Sequence, residues 1–106
     1  MKTANEIVPT DIFHPGLVLD EEINYRGLTK KAVAAKMGIS PTMLSEIISG
    51  KRNITPLTAI RLESSLGINA LFFLSMQMRY DYYSLKKSLS KIISAKSDKI
   101  SKKKAA

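Results

Sequence analysis

A chain of 106 residues, 44% hydrophobic and with a formal net charge of +8, has the length of one domain and enough apolar content for one modest core. It has no cysteine and one histidine, which excludes a disulfide framework, a thiol nucleophile and the usual multi-ligand metal centres. No apolar run approaches the ~18 residues of a membrane span, and the start MKTANEIVPTD lacks the apolar centre of a secretory signal, so a soluble cytoplasmic protein with no membrane is expected.

The charge is unevenly placed. Residues 1–27 carry Lys2 and Arg26 against Glu6, Asp11, Asp20, Glu21 and Glu22 and are net acidic. Residues 28–55 set Lys30, Lys31, Lys36, Lys51 and Arg52 against Glu46 alone, and residues 84–106 set eight lysines against Asp98. Two basic regions on one chain imply a polyanionic partner.

Residues 1–13 read as an arm, since Pro9 disfavours helix at Val8, and Ile7, Val8, Ile12 and Phe13 could pack onto a core. His14-Pro15-Gly16 predicts a helix entry, and the helix runs to about Asn24 with Leu17, Leu19 and Ile23 apolar, Asp20, Glu21 and Glu22 solvated, and Gly27 as its end. Thr29 caps a second helix, Lys30 to Met37, closed by Gly38. Ser40-Pro41 opens a third helix ending at Gly50, and Thr55-Pro56 opens a fourth, to about Leu66, with Leu57, Ile60, Leu62 and Leu66 apolar.

From Asn69 onward no breaker occurs. Leu71, Leu74, Met78, Tyr82, Leu85, Leu89 and Ile92 step by three or four residues along one long amphipathic helix. Residues 70–80 are expected to complete the core. Beyond them the apolar seam needs another surface, and a second copy of the chain is the simplest one, with Leu74, Met78, Tyr82 and Leu85 as the dimer interface. Residues 96–106, KSDKISKKKAA, read as a frayed tail. The predicted class is all-α, divided into an arm (1–13), a helical domain (14–83) and a basic extension (84–106).

Thr29 to Gly50 is the informative stretch. Leu44, Ile47 and Ile48 share one helical face, while Ser40, Pro41, Thr42, Ser45, Glu46 and Ser49 face outward and are small or polar. A helix that hides its large residues and displays short hydrogen-bonding ones suits the DNA major groove. Counted from Lys30, Val33, Ala34, Gly38, Ile39, Leu44 and Ile47 occupy the small, turn and apolar positions of a helix-turn-helix. The plain alternative is an ordinary packed helical hairpin. Catalysis has no foothold: His14 suits a capping or buried role, the adjacent carboxylates 20–22 splay around a helix, and no glycine-rich phosphate loop occurs. Neither an enzyme nor a cofactor is expected.

The motifs HPG at 14–16, LDEEI at 19–23, GLTKKAVAAKMGISPTMLSEIISGKRNITPLTAIRLESSLGI at 27–68 and LFFLSMQMRYDYY at 71–83 resemble the HigA-type antitoxin branch of the lambda-repressor-like (XRE) helix-turn-helix family. The resemblance implies a five-helix lambda-repressor-like domain with an extended C-terminal helix, a dimer, repression of its own operon, and a partner toxin that cleaves mRNA at the ribosome. Where that family commonly has Gln at the start of the second helix this chain has Lys30, and where it often has Arg in the third helix this chain has Glu46.

On this basis Ser40, Pro41, Thr42, Ser45 and Glu46 are expected to face base edges, and Thr29, Lys30, Lys51 and Arg52 to hold phosphates. A dimer would place its two third helices ~34 Å apart on a palindromic operator. The alternatives are a stand-alone regulator without a toxin, an interaction module that neutralises a toxin but binds DNA weakly, and a membrane-surface helix formed by the basic end.

Overall fold

The computed structural model describes the backbone of residues 12–105 and the side chains of residues 12–93. Most of the expected arm, residues 1–11, lies outside the described residues. Five helices follow in order: α1 (Pro15–Tyr25), α2 (Lys30–Met37), α3 (Pro41–Ile48), α4 (Pro56–Leu66) and α5 (Ala70–Ala105). No strand occurs among the described residues. The chain divides between Tyr80 and Asp81 into two units, one of Phe13–Tyr80 and one that holds the helix from Asp81 onward.

The starts of α1 to α4 are set by local chemistry. Thr29, Ser40 and Thr55 accept the main-chain N–H three residues on, at 3.1, 3.1 and 3.3 Å. His14 caps α1 in the same sense, its Nδ1 accepting the Gly16 N–H at 3.0 Å. Each cap satisfies a donor that the helix leaves without a partner. Because Nδ1 accepts, the neutral ring carries its proton on Nε2, which donates to Asn53 Oδ1 at 3.4 Å. The ring also meets Tyr80 edge-on, with centroids 4.9 Å apart.

Within Phe13–Tyr80, α2 packs against α3 and α4, and α1 packs against α3. The buried core is Leu19 and Ile23 of α1, Val33, Ala34 and Met37 of α2, Leu44 and Ile47 of α3, Ile54, then Ala59, Leu62 and Leu66 of α4, and Ala70 and Phe73 of α5. Gly16 is what lets α1 approach α3: a Cβ there would fall inside the van der Waals shell of the Ile47 carbonyl.

Some apolar positions stay outside the core, and some expectations are corrected. Leu57 and Ile60 are 60% and 55% exposed, because α4 turns Thr58, Ala59, Leu62 and Leu66 inward instead. Leu17 and Phe13 are also exposed. On α5 the core takes Ala70, Phe73 and Gln77, with Leu74 packed partly against it, and leaves Leu71 and Met78 outside. The seam thus lies beside the core face rather than on it. Asp20 and Glu22 are not simply solvated: Lys30 stands 3.6 Å from Asp20 Oδ1, and Arg26 pairs with Glu22 at 2.8 Å. α3 ends at Ile48 with Ser49 as its cap, short of Gly50.

In the second unit Tyr82, Leu85, Leu89, Ile92 and Ile93 are exposed. Tyr82 and Tyr83 meet edge-on at 5.0 Å, and the Lys86 ammonium stands 5.4 Å from the Tyr82 ring centroid. The tail expected to fray from Lys96 is helical through Ala105, since nothing from Asn69 to Ala105 is Gly or Pro and a nucleated helix propagates through Ser, Lys and Ala.

Candidate nucleic-acid interface

The turn between α2 and α3 is built from Gly38, whose φ of +71° supplies the left-handed residue that ends α2. Arg61 of α4 reaches back and donates from Nη1 to the Met37 carbonyl at 2.8 Å and to the Gly38 carbonyl at 3.5 Å. The loop after α3 is fixed from the other side, because the Ile54 N–H donates to Oε1 of buried Gln77 at 2.7 Å. These bonds hold α3 from both ends. Neither Arg61 nor Gln77 stands out in the sequence, since their partners lie 24 and 23 residues away and no local spacing marks them.

The outer face of α3 forms an open groove of about 700 Å³ lined by Pro41, Thr42, Ser45, Glu46, Ser49 and Lys51. It brings together four of the five residues expected to face bases and one of the four expected to hold phosphates. Ser40 is exposed at the cap of α3, and its hydroxyl, accepting the Met43 N–H, keeps its own proton to donate. Thr29 stands in the same relation to α2. Lys30 is tethered to Asp20 at 3.6 Å and its side chain is 56% exposed. Arg52 pairs with Glu46, Nε donating to Oε2 at 3.0 Å.

The first turns of α2 and α3 hold no acidic side chain. Lys30 and Lys31 open α2, at the end where the helix dipole already places positive charge and a cation is disfavoured. No group of three or more His, Asp or Glu side chains gathers as metal ligands among the described residues.

The Helix-turn-helix family profile matches residues 25–73. Virulence-associated protein I of Dichelobacter nodosus is 41% identical over 69 residues, which span 64% of this chain and 64% of that protein. An addiction module antidote protein of the HigA family from Coxiella burnetii is 33% identical, with a TM-score of 0.71 over 80% of this chain and 95% of that one. The chain belongs to the HigA family of helix-turn-helix antidote proteins. The structure of Pseudomonas aeruginosa antitoxin HigA with the higBA promoter is similar at 26% identity and a TM-score of 0.72, covering 78% of this chain and 91% of that one. The chain thus spans slightly less than two thirds of the length of the Dichelobacter protein, but nearly all of the two HigA structures. No helix among the described residues is long and apolar enough to cross a membrane.

Proposed function

We propose that this HigA-family chain is a dimeric, sequence-specific DNA-binding repressor and the antitoxin of a toxin–antitoxin pair, acting on its own operator and neutralising an mRNA-cleaving toxin. The observation that carries the reading is the outer face of α3, a groove lined by short polar side chains and Lys51, on a helix whose large residues Leu44 and Ile47 are buried. Such a face can enter the major groove without steric conflict and offers hydroxyls to base edges. The similarity to a HigA antitoxin solved with promoter DNA supports the same reading.

In this reading Ser40, Pro41, Thr42 and Ser45 face the bases, with Glu46, already paired with Arg52, beside them. Thr29, Lys30, Lys51 and Arg52 meet phosphates on either side. Lys30 and Lys31 at the start of α2 gain in DNA what they lose in the free chain, because a phosphate reverses the unfavourable cation at that helix end. The 3.6 Å separation from Asp20 exceeds hydrogen-bonding length, so a phosphate can displace the tether.

Two copies would pair through α5, where Leu71, Met78, Leu85 and Ile92 recur every seven residues and are exposed. Leu74 and Tyr82 flank that row. The pairing would set two α3 helices on a two-fold operator.

The test is fluorescence anisotropy with a duplex taken from upstream of the chain's own reading frame, against a scrambled duplex of equal length, at several salt concentrations. Preference for the upstream duplex by at least ~10³-fold is expected. Equal binding of the two duplexes would refute sequence-specific repression. Co-expression with the adjacent reading frame tests the antitoxin part: relief of that frame's toxicity supports it, and an adjacent frame that is harmless alone would leave a stand-alone regulator.

A further inference from the structure

Glu46 and Arg52 are joined more closely than any other pair at the α3 face. Arg52 Nε donates to Glu46 Oε2 at 3.0 Å, and Arg52 Nη2 stands 3.0 Å from the same oxygen. The main chain closes the same ring: the N–H groups of Lys51 and Arg52 donate to the Glu46 carbonyl at 2.9 and 3.1 Å, and the Ser49 hydroxyl donates to it at 3.2 Å. Residue 52 is therefore pinned to residue 46 by both backbone and side chain. Glu46 lines the groove, whereas Arg52 does not. Glu46, a lining residue, thus holds the guanidinium of Arg52 next to it in space.

The pair adds little to folding, since the two side chains are 48% and 36% exposed and solvent screens them. Its geometry has a clearer use. A guanidinium has five N–H donors, and the hydrogen bond to Glu46 uses the one on Nε, which leaves donors on the Nη atoms for an anion. A long cationic side chain ordinarily loses rotamer freedom when it grips a phosphate, and one already held in place loses less. The charge of the carboxylate is matched by Arg52 through Oε2, so it repels the DNA backbone less than an unpaired carboxylate would.

The geometry points to Glu46 as a positioning residue for Arg52: the carboxylate braces the guanidinium beside the α3 groove to hold one backbone phosphate, and does not itself read a base. This rests on the DNA-binding reading above, and it reassigns Glu46 from reading to bracing while keeping Arg52 on phosphate.

A double-mutant cycle tests it, with E46Q, R52A and the double variant titrated against the upstream duplex and against duplexes altered at one base pair each. Removing the charge at position 46 changes the field in both Arg52 backgrounds alike and cancels in the cycle. R52A is expected to weaken binding about tenfold in the otherwise native chain and no more than about twofold in the E46Q chain. E46Q should leave the ranking of altered duplexes unchanged. A DNA-free readout accompanies it: the Arg52 Nε–H resonance should exchange faster with water in E46Q, while that of Arg26, which pairs with Glu22, stays as it was. Equal losses on R52A in both backgrounds, or relaxed discrimination at one base pair in E46Q, would overturn the brace while leaving DNA binding intact. A native chain that binds no duplex would overturn the DNA-binding reading and the brace with it.

Discussion

Arg61 donates to the Met37 carbonyl at 2.8 Å, so a side chain of α4 closes the C-terminal end of α2 at the turn that aims α3. A carbonyl left open there is served by a charged donor, one of the stronger classes of hydrogen bond. Arg61→Ala should lower unfolding free energy by about 2 kcal/mol, measured by urea denaturation. Arg61→Lys should recover only part of this, because a point donor lacks the guanidinium's planar fork.

Gly16 and Gly27 predict unequal sensitivities for reasons that can be separated. A Cβ at Gly16 collides with the main chain at Ile47, which has no flexible end to move aside. Gly16→Ala should cost about 3 kcal/mol by overpacking the α1–α3 contact. Gly27 has φ +67° and nothing within 4 Å of its missing Cβ, so Gly27→Ala should cost only the backbone strain, about 1 kcal/mol. Thermal melts of the two variants should rank them in that order.

Gln77 is 5% exposed and holds the Ile54 N–H at 2.7 Å. Gln77→Leu leaves that donor buried without this acceptor and should cost about 2 kcal/mol. The loop of Lys51 and Arg52 precedes Ile54, so DNA affinity should fall further than stability alone explains, at temperatures where the variant remains folded by circular dichroism.

Lys51→Ala should weaken binding to every duplex alike and flatten the plot of log affinity against log salt by about 0.9. Thr42→Ala and Ser45→Ala should instead alter which base pairs are preferred and leave the slope unchanged. Lys30→Ala should flatten the slope less than Lys51→Ala, because Asp20 already partners that ammonium. Anisotropy titrations from low to moderate salt distinguish these outcomes.

Met78 and Leu85 are 66% and 60% exposed, so neither contributes to the packed core of its own chain. Met78→Asp with Leu85→Asp should convert a dimer into a monomer of 11.8 kDa by sedimentation velocity, with little change in helical content. A variant that stays dimeric would move the interface away from this face of α5.

The helix starts were legible because capping is local. Thr29, Ser40 and Thr55 bond to an N–H three residues away, and Pro41 and Pro56 mark the first turn without reference to any distant contact. The end of α2 at Gly38 was legible for the same reason. The outward set of α3 followed from its own periodicity, since Leu44 and Ile47 leave only one face for the short polar residues.

Burial on α4 and α5 was not legible. Each helix carries more apolar residues than one face can bury, and the sequence offers no measure of which stripe its neighbours will cover. Packing chose Ala59, Leu62 and Phe73 and left Leu57, Ile60 and Leu71 outside.

The sequence by itself determined five helices, their order and the polar outer face of α3, because caps, turn glycine and helical spacing act within a few residues. Only the tertiary structure decided that Arg61 and Gln77 hold α3 from both ends, that Gly16 is a close contact of α1 with α3, and that Glu46 pairs with Arg52. Those relationships depend on atoms brought together across turns or from other helices, and no spacing along the chain encodes that meeting.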